Sequence, residues 1–546
     1  KKLPIRKKEL SICFGELVFT TDSGFSPLRK ALSAFVTETQ QTVTGKVRLK
    51  LYKGNIINSG VWSHILCIAR ILSHLMKERA IEQSDATGFI RLLGLPTRIQ
   101  ASVNARNEKG GRKMLTAVTG IKWGDEGKGR VIDLLAERAD IVVRYQGGNN
   151  AGHTVVTKQG KFILNLLPSG ILHPNVVCVL ADGMVVDLEH LSNEIADIRG
   201  KGVSVTPQNF KLSARATISM PWHRIQDDLE EERLAQSGVA FGSTRRGIAY
   251  AYSDKYRKKT LRLGDLLHLD EPYIQVRLKT MLEAKNLELA GCYHQEPMSY
   301  PALLAWCQKQ AKEFLPYICD TGNYLDTALS SGKQMVLEAQ LGAMRDIDYG
   351  IFPYTSSSTT IAAYGPIGAG IPGVQPDHVV GVLKAYSTCV GAGPFVAENA
   401  MPEEWKESLR KAGGEYGAAT GRPRRVGPFD AVASRYGLKC QRADKIALTK
   451  LDVLSYMQEI PIITGYLYKG KETDTFVPTE NLEEYQPVIS FIPGWKQDIS
   501  ACRRWEELPD AAKNYIKTLE KLLDHEIQFI SVGAKREEYL IKGEWL

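Results

Sequence analysis

From Met114 to the C-terminus, short apolar runs alternate with stretches of helical spacing. Residues 115–120 form an apolar, β-prone run, and 131–138 follow with the period of a helix. The succession recurs along the chain. Residues 142–146, 446–448 and 527–530 read as strands, and 188–199, 227–236, 405–412 and 511–525 as helices. Strands separated by helices predict an α/β fold with a large, mostly parallel central sheet flanked by helices. Ligand loops are expected at the carboxyl ends of its strands.

Residues 1–113 stand apart, because no period of 2 or 3.6 persists there. They carry 20 Lys and Arg against 8 Asp and Glu, whereas the remaining 433 residues carry 50 against 53. The formal charge of +9 therefore belongs to the N-terminal fifth, and the main body is near neutral. A nucleic-acid role is not expected from such a body. Lys1, Lys2, Arg6, Lys7 and Lys8 ahead of 10–20 give a faint secretory-leader pattern, broken by Glu16. An acid-poor targeting sequence is a second reading. A third is that 1–113 is foreign to the natural protein, with Met114 as the start and Gly110-Gly111-Arg112 as a translated ribosome-binding site. The segment is thus one of unknown role, unstructured or not part of the natural protein, and 114–546 is the functional domain.

Composition narrows the class further. A length of 546 residues exceeds one ordinary domain, and 43% hydrophobic with 24% charged residues is the balance of a globular protein. The most apolar stretch, 61–76, is broken by His64, Arg70 and His74, so no membrane span is expected. The nine cysteines are scattered without a CxxC pair, which fits a reducing compartment, the cytoplasm.

Chemistry concentrates in glycine-rich loops. Gly124-Asp125-Glu126-Gly127-Lys128-Gly129-Arg130 joins the 115–120 strand to a helix, the arrangement in which backbone N–H groups and a helix dipole meet an anion. No Ser or Thr follows Lys128, so this is not a Walker A loop. Asp125 and Glu126 would repel a phosphate unless a metal or a base-like role accounts for them. Gly147-Gly148-Asn149-Asn150-Ala151-Gly152-His153-Thr154 follows the next strand, and its position turns His153 from a structural hydrogen-bonder into a catalytic candidate. Gly417-Ala418-Ala419-Thr420-Gly421-Arg422-Pro423-Arg424-Arg425 gathers arginines beyond a glycine turn, suited to forked carboxylate or phosphate recognition.

The first two loops together resemble adenylosuccinate synthetases, and the resemblance runs from about Met114 to the C-terminus. It implies a ligase that makes adenylosuccinate, GDP and phosphate from IMP, L-aspartate and GTP through a 6-phosphoryl intermediate, the first committed step from IMP to AMP. It implies a P-loop-like nucleotide-binding architecture with small subdomains, a homodimer, and one Mg²⁺ per subunit held by Asp125 and the Gly152 carbonyl. By the same resemblance Asp125 takes the N1 proton of IMP, His153 is the general acid, and Lys128 completes the catalytic set. GTP contacts fall on Gly124, Asp125, Glu126, Gly127, Lys128, Gly129, Arg130, Gly152, His153, Thr154, Arg424, Lys450, Leu451, Asp452, Ser531, Val532 and Gly533. IMP contacts fall on Asp125, Glu126, Gly127, Lys128, Asn150, Ala151, Gly152, His153, Thr244, Lys258, Gln340, Ser356 and Arg422. The aspartate substrate falls to Ala418, Ala419, Thr420, Gly421, Arg422, Pro423 and Arg424.

Three places depart from the family pattern or sharpen it. Glu338-Ala339-Gln340-Leu341-Gly342 shifts the usual glutamine by one position, to Gln340. Lys258 stands where the family sends an arginine across the dimer to the IMP phosphate, and a lysine neutralises phosphate without the bidentate fork. Thr449-Lys450-Leu451-Asp452 resembles the guanine-reading motif of GTPases, in which a carboxylate accepts the N1–H and 2-amino donors that adenine lacks. Asp133 is expected to be a surface or structural carboxylate. Two rival readings are a GTP-binding switch and a non-catalytic relative. Turnover by the parent chain, lost on Asp125→Ala or His153→Ala, separates both from the ligase.

Overall fold

The computed structural model describes 114–546, apart from 158–159, 240–241 and 417–422, together with 18–20 and 50–52. The chain divides into two units, Lys1–Gly110 and Gly111–Leu546. In the first, strands Val18–Thr20 and Lys50–Tyr52 pair in parallel, with Val18 opposite Lys50. The remaining expectations for 1–113 lie outside the described residues.

The second unit is built on a ten-stranded sheet. Its strands in chain order are β1 (Met114–Gly120), β2 (Ile141–Arg144), β3 (Val177–Leu180), β4 (Phe210–Ser213) and β5 (Ile318–Cys319). They continue as β6 (Gln334–Gly342), β7 (His378–Lys384), β8 (Lys445–Thr449), β9 (Phe529–Ser531) and β10 (Tyr539–Ile541). Across the sheet the order is β5-β4-β3-β2-β6-β1-β7-β8-β9-β10. Every neighbouring pair is parallel except β9 and β10, which close one edge as a hairpin. Strands covered on both faces are apolar without alternation, and β1 is buried from Leu115 to Gly120 for that reason. The chain runs outward from β1 to β5, returns to insert β6 beside β1, and then builds outward on the other side. β1 therefore lies where the order reverses, and its carboxyl end opens the crevice in which α/β sheets hold ligands.

Helices cover the sheet as the periodicity predicts, with shifted ends. The helix expected at 511–525 spans Asp510–Leu523 and buries Ala512, Tyr515, Ile516, Leu519 and Leu523, one stripe packed into the core with Ile446, Leu448 and Ile530. Fully burying each of the larger aliphatic side chains contributes about 1.5–3 kcal/mol. The helix expected from Asp227 begins six residues earlier and spans Pro221–Gln236. Pro221 occupies its first turn, where the missing N–H costs nothing, and Trp222 and His223 are buried beneath it. Among the described residues no helix is long and apolar enough to cross a membrane.

Candidate active site

The loop after β1 is held by its own side chains. Gly127 caps helix α1 (Lys128–Ala136) in the left-handed region, with φ of 90°. Gly124 has φ of 105°, and a Cβ there would lie 2.3 Å from the Leu341 Cα. The Glu126 carboxylate keeps a buried Oε2 with no hydrogen-bond partner, 3.9 Å from Lys128 Nζ. Its Oε1 accepts the N–H groups of Lys122 at 3.0 Å and Gly124 at 2.9 Å. Lys128 is buried, donates to the Gly124 carbonyl at 2.8 Å, and its pKa is lowered by burial. A Cβ on Gly129 would sit 2.9 Å from that of His153, so the histidine packs on the N-terminus of α1.

His153 begins the hairpin His153–Thr157/Gly160–Leu164 and is buried, whereas Thr154 points the opposite way and is exposed. The His153 Nδ1 hydrogen-bonds Glu338 Oε1 on β6. Glu338 also accepts the Ser169 N–H at 2.8 Å and its hydroxyl at 3.0 Å. The Nε2 of His153 is buried and has no hydrogen-bond partner. Burial lowers the pKa of His153, and Glu338 offsets this only in part. Gln340 is buried and spends its amide on the Gly148 backbone, while a Cβ on Gly147 would meet its Oε1 at 2.3 Å. Asn150 Oδ1 accepts the Gly148 N–H at 3.3 Å, and Asn165 holds the Ala151 carbonyl at 3.1 Å. Ser356 is half-buried and reaches Gln146 through Ser358.

Asp125 faces a cationic cluster. Its Oδ1 accepts the Thr388 hydroxyl at 2.6 Å, and its Oδ2 lies 3.5 Å from Lys384 Nζ and 3.7 Å from Arg424 Nη1. Thr388 lies on the ribbon Ser387–Cys389/Arg425–Gly427, and Arg424 immediately precedes its second strand. Burial opposes the charge of Asp125, yet Lys384 and Arg424 hold its carboxyl below the ordinary value. Glu415 accepts Lys384 at 3.0 Å, Lys450 at 3.2 Å and Arg424 at 2.7 Å. Burial works against its charge, but these three cations keep it well below the usual carboxylate range.

The guanine-reading candidates meet at the ends of β8 and β9. Lys450 is left-handed, with φ of 60°, and Leu451 is buried. Asp452 Oδ1 is buried without a partner, and burial pushes its carboxyl up. Arg130 reaches across to this edge. It donates to Ser531 Oγ at 2.7 Å, to the Lys535 and Glu538 carbonyls at 2.5 and 2.9 Å, and to the Gly533 carbonyl. Val532 packs in the core, which leaves only its backbone for any contact. Asp133 is no surface residue. It is buried between His173 at 2.9 Å and Arg536 at 2.6 Å, a structural ion pair.

The loop 242–247 hangs on Asp227, which accepts the Ser243 hydroxyl at 2.6 Å and the Gly247 N–H at 2.8 Å. Gly247 caps helix Ile248–Arg257, Thr244 is exposed beside it, and Lys258 ends the helix exposed, with φ of 62°. Ala418, Ala419, Thr420, Gly421 and Arg422 lie outside the described residues. Their flanks, Tyr416 and Pro423, form a bridge.

The family model for adenylosuccinate synthetase matches residues 117–540. The chain belongs to the adenylosuccinate synthetase family. The adenylosuccinate synthetase of Carboxydothermus hydrogenoformans is 42% identical over 423 residues, 77% of this chain and 97% of that protein. That of Caldicellulosiruptor bescii is 42% identical over 432 residues, 79% of this chain and 100% of its own. The solved structure of fully ligated adenylosuccinate synthetase from Plasmodium falciparum is 36% identical with a TM-score of 0.72, covering 79% of this chain and 100% of that one. Residues 2–100 match a different model, the arginosuccinate synthase C-terminal domain.

Adenylosuccinate synthetases are GTP-dependent ligases of AMP synthesis that join IMP to aspartate, and this chain is such a ligase. The family uses Mg²⁺ with GTP. Of the adenylosuccinate synthetase residues expected from the motifs, Lys128, Gly129 and His153 converge at α1, and Asp125 and Arg424 converge at the cationic cluster. Glu338, Ser169, Lys384, Thr388 and Glu415 were not expected. Glu338 left one signal in the sequence, the single charged residue within the run Gln334–Gly342 that forms a strand.

Proposed function

We propose that the ligase reaction runs in two steps through 6-phosphoryl-IMP, with Asp125 as base and His153 as acid. Asp125 takes the N1 proton of IMP, which places negative charge on O6. O6 attacks the γ-phosphorus of GTP and GDP leaves. The amine of aspartate then attacks C6, the C6–O bond breaks, and the amine gives up one proton, which leaves with the released phosphate. His153 is the observation that carries this reading. Glu338 keeps a proton on the histidine Nδ1, so the buried, partnerless Nε2 donates to a phosphoryl oxygen in the imidazolium form, which the negative charge of a phosphate beside Lys128 and the N-terminus of α1 would favour. Asp452, with a buried oxygen unpaired, suits the two donors of guanine.

The residues fit a magnesium ion. Asp125 Oδ2 is buried and accepts no hydrogen bond, facing Lys384 Nζ at 3.5 Å and Arg424 Nη1 at 3.7 Å. Together with the Gly152 carbonyl, the second ligand the family resemblance implies, it would give a hard, all-oxygen donor set of the kind that leaves room for phosphate oxygens and water. Mg²⁺ bound there would neutralise charge on the transferring phosphate. Arg422 and Thr420 are the proposed aspartate contacts, and Lys258 the basic residue shared across a homodimer. Gln340 acts through the Gly148 backbone. The enzyme works in the cytoplasm.

Catalysis resides in 114–546. The relatives are covered over 97% to 100% of their length, and the family match falls wholly within 117–540. Two experiments test the reading. Product that requires IMP, aspartate, GTP and Mg²⁺ together, from chains starting at Lys1 and at Met114, is the expected result. Oxygen-18 placed in the β,γ-bridge of GTP should scramble with IMP present and aspartate absent. Product formation without that scrambling would exclude the phosphorylated intermediate.

A further inference from the structure

Glu415 has no expected role, yet its carboxylate is fully buried and accepts four hydrogen bonds. Lys384 at 3.0 Å, Tyr386 at 2.5 Å and Lys450 at 3.2 Å share Oε1, and Arg424 takes Oε2 at 2.7 Å. These donors serve two different places. Lys384 and Arg424 flank Asp125, and Lys384 also donates at 2.8 Å to the Thr388 hydroxyl that binds Asp125. Lys450 belongs to the guanine-reading segment, and its ammonium is further fixed on the Gly413 carbonyl at 2.5 Å. One anion therefore ties the base-reading segment to the groups that orient the catalytic carboxylate. Charge-assisted bonds in a dry site resist displacement, because losing one partner leaves a buried charge uncompensated.

We infer that Glu415 is a positioning residue that couples guanine recognition at Lys450–Asp452 to the placement of Asp125. Binding energy from the base, remote from the reacting atoms, is then spent on the chemical step as well as on affinity. The inference rests on the roles of Asp125 and Asp452 proposed above.

A double-mutant cycle on the full chain tests it, with Glu415→Gln, Asp452→Asn and both together. Each protein is assayed with GTP and with ITP, which lacks the 2-amino group. In the parent, kcat falls from GTP to ITP. In Glu415→Gln, kcat with GTP falls about 10- to 100-fold, the KM for IMP stays within about threefold, and the GTP-to-ITP ratio of kcat collapses toward one. The cost of Asp452→Asn shrinks by at least about tenfold in that background. Glu415→Asp, which keeps the charge, restores part of the ratio. Equal losses with both nucleotides, and substitutions whose effects simply multiply, would show that Glu415 only holds the fold and would overturn the coupling. If circular dichroism finds Glu415→Gln unfolded, Lys450→Met cuts the same link from the other end and must give the same collapse. A parent that binds GTP but yields no product would instead overturn the ligase reading and the coupling with it.

Discussion

The Nδ1 of His153 hydrogen-bonds the Glu338 carboxylate, and the Nε2 of the same ring is buried with no partner. A carboxylate on one ring nitrogen fixes the proton there and leaves the other nitrogen uncommitted. Ser169 holds Glu338 through both its N–H and its hydroxyl, so the carboxylate is itself oriented.

Glu338→Gln should therefore lower kcat by about 10²- to 10⁴-fold, the range expected when a histidine loses the carboxylate that orients it. Binding of IMP and GTP should be nearly unchanged, because neither nucleotide needs the Glu338 charge. Steady-state kinetics beside equilibrium nucleotide titration checks both. A kcat within threefold of the parent would remove Glu338 from the mechanism.

Arg130 contacts the segment 531–538 through four acceptors. Arg130→Met should raise the KM for GTP by about tenfold, the scale of one or two lost charge-assisted bonds, and leave that for IMP alone. A fall confined to kcat would instead mark Arg130 as a contact of the transferring phosphate.

Gly124 has no room for a side chain and sits at φ of 105°. Gly124→Ala pays about 1–3 kcal/mol for the backbone alone, before the clash with Leu341. Thermal melting should fall by several degrees and nucleotide binding should be lost with it. A variant that melts like the parent would contradict the packing of Gly124 on Leu341.

Lys122 is buried, donates to Ser387 Oγ at 2.9 Å, and its pKa is brought down to about 8, by burial above all. A lysine whose folded value lies below its unfolded value releases its proton first in the fold, so the contribution of Lys122 to stability rises with pH between about 8 and 10.5. At neutral pH the charge is therefore a cost, at most about 3 kcal/mol, less about 1 for the bond to Ser387. Lys122→Met should be more stable than the parent at pH 7, and the advantage should fade as pH approaches about 10.5. Urea unfolding at the two pH values measures the difference. An advantage that grows with pH would reverse the assignment.

The sequence by itself determined the α/β class, the strand-loop-helix around Gly124–Arg130 and the candidates Asp125, Lys128, His153 and Asp452. Each of these is written in local spacing, since helix period, strand run and glycine turn involve residues a few positions apart. Helix ends were less legible, because burial of Trp222 and His223 extended a helix whose polar part alone reads clearly. The partners were decided only by the tertiary structure. His153 meets Glu338 across 185 positions, Asp125 meets Thr388 across 263, and Arg130 meets Ser531 across 401. Such pairs follow from the insertion of β6 beside β1 and from the closing hairpin β9–β10, and no periodicity records which strand lies next to which. A buried charge must find a partner wherever the sheet order brings one, which is why Glu415 could be placed only after the fold was known.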